Sequence, residues 1–411
     1  MVIDGSREGM ARPGRRDGIT KYKLLYTVLI LLCYLLGRDV PLYRIDISLY
    51  LKRNLDAETL LVQTISGDLN RCSLFALGIS PYITASILVQ IFSACRSVGA
   101  RRRTSPGKIN RLTLLLMLGF AFFQSMVRVQ ELHFKAAGEI LFLIKLLVAT
   151  EMVTGAVLIV WMAERNKKYG IGGQTVLICI NIVDGIMVNL RGHGLKDLLL
   201  PFVIALGIML IILVLENSEK RIPVQRISIH DIYADKNYLA VKLNPVGVMP
   251  VMFSTAFFML PQYIVTGLCY LFPDSNGLIW WKENLTLSRI PGVCLYIGML
   301  YLLTVAFALI FINPGDITEQ LLKSGDSIVG LHAGRETKRY LVGTVCRVSL
   351  FGATVMGICL GIPMILQMKG IVESSLVMFP SSVMMLTGIW HNLREEFLTI
   401  RSYDVYKSFI E

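Results

Sequence analysis

Charge is what this sequence has least of. Asp, Glu, Lys and Arg make up 17% of its 411 residues, against 54% hydrophobic residues, and the mean hydropathy is +0.60. A soluble globular protein of this length is excluded, because its surface would need more charge. Catalytic signatures are absent as well: there is no Walker loop, HExxH, GxSxG or metal-spaced histidine cluster. The five histidines, at 133, 193, 230, 332 and 391, fall at the ends of apolar runs or between them. The eight cysteines form no Cys-x-x-Cys pair and sit mostly in apolar runs, so they read as small packing hydrophobes. GIGG at 170–173 lacks the strand and third glycine of a dinucleotide site and reads as a turn opening a helix. No enzyme, cofactor or metal site is expected. Alternating ten-residue segments are missing too, which excludes a β-barrel. The polar, basic residues 1–23 lead into an apolar run from Leu24 that no small-x-small site closes, so that run reads as a membrane helix rather than a removed signal.

What is present is a series of long apolar runs. Ten segments approach the ~20 residues that cross a bilayer as a helix. They fall near 21–37, 73–95, 111–128, 140–163, 174–190, 198–215, 246–271, 290–312, 342–366 and 371–391. Ten spans put both termini on one side. Summed over alternate connections, that side carries 27 Lys and Arg and the other 11, so the bias places both termini in the cytoplasm. The formal net charge of +12 is therefore a topology signal and gives no reason to expect nucleic acid. The organisation expected is an all-α polytopic protein: an N-terminal half over 1–190, a C-terminal half over 191–391 and a cytoplasmic tail over 392–411.

Two cytoplasmic connections are long enough to hold structure. In 216–245, VQRISI and NYLAVKL alternate with the strand period around HDIYADKN, which predicts a protruding β-hairpin. In 313–341, NPGDITEQLLKSG predicts a short helix capped by Asp316, with Glu319 three residues later and Gly325 closing it. Both can be docking surfaces or plain solvated connectors.

An internal echo links the halves. The second run contains GISPYITAS, with Gly78, Pro81 and Ser86, and the seventh contains GVMPVMFST, with Gly247, Pro250, Ser254 and Thr255. Both have Gly-x-x-Pro followed by hydroxyls, each in the second span of its five-span half. Five spans per half make the halves run in opposite directions, an inverted repeat whose weakened helices point to a pathway between them. Pro81 and Pro250 each remove a backbone donor, and nearby hydroxyls are expected to occupy the freed carbonyls or to bond across helices. Plain close packing by Ser and Thr is the competing reading. Intramembrane charges offer a reading of another class: Glu151 and Asp184 as coupling carboxylates of an ion-coupled secondary transporter, with Lys145 in the same fourth span as Glu151 and Arg347 near the cytoplasmic end of the ninth. Lys145 and Glu151 stand six residues apart, a poor spacing for a pair on one helix face.

At FALGISPYITASILVQ the sequence resembles the SecY family, the pore subunits of Sec protein-translocation channels. The likeness recurs in order in SGDLNRCSLFALGISPYITAS, VTGAVLIVWMAERNKKYGIGG, KLNPVGVMPVMFSTAFFMLPQ and FINPGDITEQLLKSGDSIVGLHAGRETKRYL. The resemblance implies ten transmembrane helices in two inverted halves that open sideways between helices two and seven, a lateral gate. It assigns an apolar pore ring to Ile83, Ile87, Thr175, Cys179, Met252 and Met385. It assigns gate-lining positions to Pro81, Ser86, Gln90, Pro250, Ser254 and Thr255, and a plug to about 60–72 with Ser66, Gly67 and Asp68 at its tip. Motor docking falls to Arg226, His332, Arg335, Lys338 and Arg339. The implied partners are a SecA-type motor ATPase, a small SecE-like membrane subunit, an unfolded preprotein and the lipid bilayer of a bacterial plasma membrane. The chain departs from the family where His332-Ala333-Gly334 replaces the usual Arg-Pro-Gly, and Arg335 follows. With its compact tail, the pattern resembles the accessory SecY of Gram-positive bacteria, which works with an accessory SecA on serine-rich glycosylated surface adhesins, rather than the housekeeping SecY.

Overall fold

The computed structural model describes residues 17–45, 72–95, 106–134, 140–190, 194–226, 238–272, 275–332, 334–373 and 376–405. Its first half contains α1 (Asp17–Arg38), α2 (Ser80–Cys95), α3 (Pro106–Glu131), α4 (Ile140–Tyr169) and α5 (Gly173–Leu190). The second half contains α6 (Leu195–Asn217), β1 (Glu219–Arg226), β2 (Tyr238–Lys242), α7 (Met249–Leu271), α8 (Asn276–Asn284), α9 (Ile290–Ile312), α10 (Pro314–Ser324), β3 (Asp326–Ile328), α11 (Arg335–Met368) and α12 (Met378–Val405).

Every expected span falls on a helix, and the protein is all-α and polytopic. Seven helices are long and apolar enough to cross a membrane, and two shorter stretches, Ser80–Phe92 and Gly173–Met187, are apolar. The helix at the tenth position, α12, is not among them. It starts at Met378 rather than near 371 and runs into the expected tail, where Arg394, Glu395, Glu396 and Arg401 dilute its apolar character. The second span also starts late. Residues 74–79 form turns rather than helix, because Leu74 and Leu42 exchange backbone bonds with Val40 and Cys72 and hold this stretch extended at its start.

Within each half, neighbouring helices pack closely: α2 on α3, α3 on α4, α4 on α5, and then α6 on α12, α7 on α9 and α9 on α11. Contacts between the halves run along α2 with α7 and along α5 with α12. One apolar cluster belongs to the first half alone, with Met117, Ala121, Val148, Met152 and Ala156 at its centre. A larger one spans both halves.

The hairpin is present with shifted bounds. Its first strand begins at Glu219, five residues before the alternation in the sequence suggests, and 227–237 lie outside the described residues. β1 is the middle strand of a three-stranded sheet, paired antiparallel with β2 and with β3. Pro223 sits where β1 changes partner, pairing with Tyr238 before Val224 pairs with Ile328. A residue without an N–H is tolerated at such a handover. Ile222, Val241 and Ile328 close under the sheet onto Leu341 and Val348 of α11, so the hairpin is seated on a membrane helix.

The short helix α10 also starts early. Its cap is Asn313 at φ +45, followed by Pro314, whose fixed φ suits a first helical turn. The expected cap, Asp316, lies inside that turn and accepts a hydrogen bond from the Asn313 side-chain amide. Glu319 pairs instead with Lys323 at 3.1 Å. Gly325 closes the helix at φ +73, as a left-handed C-cap requires.

Candidate functional site

The two Gly-x-x-Pro segments adopt the same local geometry. Gly78 and Gly247 lie at φ +56 and +67, two residues before the first helical residue of α2 and α7. Left-handed backbone at both positions explains the glycines. Pro81 and Pro250 are then the second residues of their helices. The sequence reading, which had these prolines stranding carbonyls inside a span, is corrected here: first-turn N–H groups have no helical acceptor in any case. The signal was in the pattern, since a glycine three residues before a proline marks a helix start as well as it marks a kink.

Most hydroxyls at these starts fold back onto their own helix. Thr84 Oγ1 donates to the Pro81 carbonyl at 2.9 Å and Ser86 Oγ to the Ile83 carbonyl at 2.8 Å. On α7, Ser254 Oγ donates to the Pro250 carbonyl at 2.6 Å and Thr255 Oγ1 to the Val251 carbonyl at 2.9 Å. Hydroxyls also reach other helices: Ser80 Oγ donates to Gln124 Oε1 of α3 at 3.4 Å, Thr255 Oγ1 lies 3.2 Å from the Tyr296 hydroxyl of α9, and Ser254 bonds to that same hydroxyl. Each of these contacts stays within its own half. Among the described residues, no hydroxyl of α2 bonds to α7.

Apolar packing therefore holds the seam. Ile83, Ile87, Met252 and Met385 all lie in the cluster shared by the two halves, at 0%, 0%, 5% and 0% exposure. Cys179 is half-buried and packs against that cluster. Thr175, four residues earlier, is not part of it. It lines a cavity of about 360 Å³ together with Ser86, Gln90, Glu164, Lys167 and Phe253. Sequence reasoning missed Ile178 and Ile182, which lie one turn apart on α5 and are buried in the same cluster. Their i, i+4 spacing was readable, but an all-apolar run hides which face turns inward.

At the foot of α7 the chemistry changes. Glu216, the penultimate residue of α6, is 4% exposed and accepts from Asn244 Nδ2 at 3.3 Å. Lys242 of β2 donates to Glu395 of α12 at 2.8 Å, and His391 Nε2 lies 3.3 Å from the same oxygen. The Lys242 hydrogen bond holds the Glu395 carboxyl below the usual carboxylate range. These residues, apart from His391, surround a second cavity of about 190 Å³.

The expected docking residues gather near the hairpin. His332, Arg335, Lys338 and Arg339 are exposed around the start of α11, where Thr337 Oγ1 donates to the His332 carbonyl at 2.8 Å. Arg226 is the last residue of β1 and pairs through its backbone position with Asp326. Ala333 and the plug residues Ser66, Gly67 and Asp68 lie outside the described residues, as does 60–71 as a whole.

The intramembrane charges are engaged separately. Lys145 donates to Gln130 at 2.7 Å, Glu151 accepts from the Tyr43 backbone at 3.2 Å, and Asp184 pairs with Arg38 at 3.2 Å. Glu151 and Asp184 thus have different partners in different places.

Known proteins give the same picture. The SecY family profile matches residues 73–393. The accessory Sec system protein translocase subunit SecY2 of Streptococcus agalactiae is 30% identical over 398 residues, 95% of this chain and 96% of that protein. The subunit of the same name from Leuconostoc gelidum is 29% identical, covering 94% and 96%. Among solved structures, a protein-conducting channel superposes with TM-score 0.69 at 17% identity over 95% of both chains. Sec61 from the canine ribosome-channel complex superposes with TM-score 0.65 at 18% identity, also over 95% of both. Matching Gly-x-x-Pro helix starts, an apolar seam between the halves and a profile match across most of the length converge: the chain is a multi-pass membrane protein and belongs to the SecY family.

Proposed function

We propose that this chain is the pore subunit of a protein-conducting channel in a bacterial plasma membrane, passing unfolded polypeptides through its waist and opening sideways between α2 and α7. The observation that carries the reading is the seam. Its hydroxyls are satisfied within their own halves, so α2 and α7 can part without stranding a hydrogen bond. What holds the seam closed is burial, which a translocating chain can replace side chain for side chain.

Ile83, Ile87, Met252 and Met385 form the constriction, with Cys179 at its edge. A narrow apolar ring resists wetting and widens around a chain. Ser86, Gln90, Ser254, Thr255 and the helix starts at Pro81 and Pro250 form the gate, and Ser66, Gly67 and Asp68 the plug tip. Thr175 belongs to the vestibule above the ring rather than to the ring, because it lines the cavity with Ser86 and Gln90. No catalytic step occurs in the chain. Energy comes from a SecA-type motor docking on the hairpin, His332 and the basic residues Arg226, Arg335, Lys338 and Arg339, with both termini cytoplasmic. A small SecE-like subunit clamps the halves. The relatives' name, accessory Sec system protein translocase subunit SecY2, supports an accessory system, and the motor and cargo proposed for it are an accessory SecA and serine-rich glycosylated adhesins.

The test is photocrosslinking from Ile83 and, separately, Met252 to a precursor stalled midway. Crosslinks from both positions are expected. Neither position touching the chain, while a probe at Lys338 still captures the motor, overturns the pore assignment and favours the transporter reading. Comparing a serine-rich adhesin with an ordinary precursor separates accessory from housekeeping cargo.

A further inference from the structure

The nine-residue helix α8 has no buried residue. Ile279, Trp280 and Trp281 are exposed at 41%, 52% and 51%, the two indole rings meeting edge-on at 5.4 Å. So short a helix is marginal in water without an apolar partner, and a contiguous patch of this kind marks an interaction surface.

Its place in the chain says what covers it. α8 lies between the end of α7 at Leu271 and the start of α9 at Ile290, both helices long and apolar enough to span. It therefore sits at the membrane surface opposite the hairpin. Exposed apolar residues continue from it onto both spans, at Tyr270 and Phe272 on one side and Ile290 on the other. Lys282 Nζ stands 5.9 Å from the Tyr270 ring, at the level where lysine stems lie along apolar surface with the ammonium in water. Tryptophan favours this depth, with an apolar body and one N–H for the wet side.

The segment after α8 is tied to both flanking spans. Gln262 Nε2 of α7 donates to the Leu285 carbonyl at 2.8 Å, and Leu285 and Leu287 are buried in the shared cluster. A Cβ at Gly292 would stand 2.0 Å from the Thr286 carbonyl oxygen, so α9 starts hard against this segment. The depth of α8 is thus tied to the height of α7.

We propose that α8 is a lipid anchor. Ile279, Trp280 and Trp281 seat in the boundary between headgroups and acyl chains of the leaflet opposite the hairpin, and the partner is the bilayer itself. This holds whether or not the chain conducts polypeptides.

The chain has four tryptophans, and the other two are Trp161 and Trp390. Purified protein carrying Trp161→Phe and Trp390→Phe, both exposed positions, is reconstituted in phosphatidylcholine vesicles brominated at shallow or at deep acyl positions. Shallow bromines are expected to quench the remaining fluorescence about twofold more than deep ones, and iodide on both sides of the bilayer to quench little. Strong iodide quenching with no effect of either bromolipid overturns the proposal and points to a protein partner on this face. Should the double variant fail to fold, Trp280→Phe with Trp281→Phe is compared with the unsubstituted protein. Loss of the shallow-quenched component supports the anchor, and an unchanged depth profile overturns it.

Discussion

Two junctions bear on α7 and are built in opposite ways. Along its length toward α2 the contact is apolar, with Met252 among Ile83 and Ile87 and no hydroxyl bonding across among the described residues. At its foot the contact is polar: Asn244 bonds to Glu216 of α6, and Lys242 on the adjoining strand pairs with Glu395 of α12. Apolar contacts are non-directional and tolerate exchange of partners, whereas a buried hydrogen bond fixes geometry and is costly to leave half-made. The difference suits the proposed gate, in which the foot of α7 is a fixed point and its face toward α2 a movable wall. A device bound to the hairpin would push on α7 through the fixed end.

That contrast can be broken, beginning at the waist. Ile83→Asp puts an unpaired carboxylate into the shared cluster, which favours the parted, wetted form. Each ~1.4 kcal/mol of such bias raises that form roughly tenfold, so a rise in ion conductance of at least that order is expected in planar bilayers. Unchanged conductance would mean the waist is not at Ile83. At the foot, Gly247→Ala comes first. The glycine holds φ +67 and its added Cβ would meet Glu216 Oε1 at 3.2 Å, so a loss of about 1–2 kcal/mol is expected. Next, Glu216→Ala leaves the buried Asn244 amide with only the weak acceptor Met356 Sδ at 3.9 Å and is expected to cost about 1 kcal/mol in thermal unfolding.

The smaller effects sharpen the contrast. Glu395 is held below its ordinary range by Lys242, so its pair stabilises the fold above that range and the contribution disappears as pH falls through it. Half-exposure limits the size to under about 1 kcal/mol. Lys242→Met should therefore lower the melting temperature at neutral pH and converge with the unsubstituted protein in acid. A gap independent of pH would refute the pair. Smallest of all, Ser86→Ala removes only a bond within its own helix and is expected to change stability by less than about 0.5 kcal/mol. A loss as large as that of Glu216→Ala would erase the distinction between seam and foot.

Residue-level features were legible where their cause is local. Gly325 closes α10 as read, because a left-handed C-cap depends on one residue's lack of a Cβ. The turn at Gly172 and Gly173, at φ +74 and +47, was readable on the same ground. The starts of α2 and α10 were not. Residues 73–79 look like the first turns of a span, yet strand-like bonds of Leu74 to Val40 and of Leu42 to Cys72, between positions thirty or more apart in sequence, keep them out of helix. The helical tail past 391 was missed because its residues carry no apolar period of a span, while Lys242 and Gly172 give its Glu395 and Glu396 partners from distant elements.

By itself the sequence determined a polytopic helical protein, its repeated Gly-x-x-Pro pattern and its family likeness. Apolar run length, glycine geometry and short motifs are properties of neighbouring residues. Only the tertiary structure decided that the hydroxyls turn inward on their own halves, that Thr175 lines a cavity with Ser86 and Gln90, and that the approach to α7 is bonded while its face toward α2 is packed. Those outcomes depend on which surfaces meet, and burial acts between faces that lie far apart in the chain.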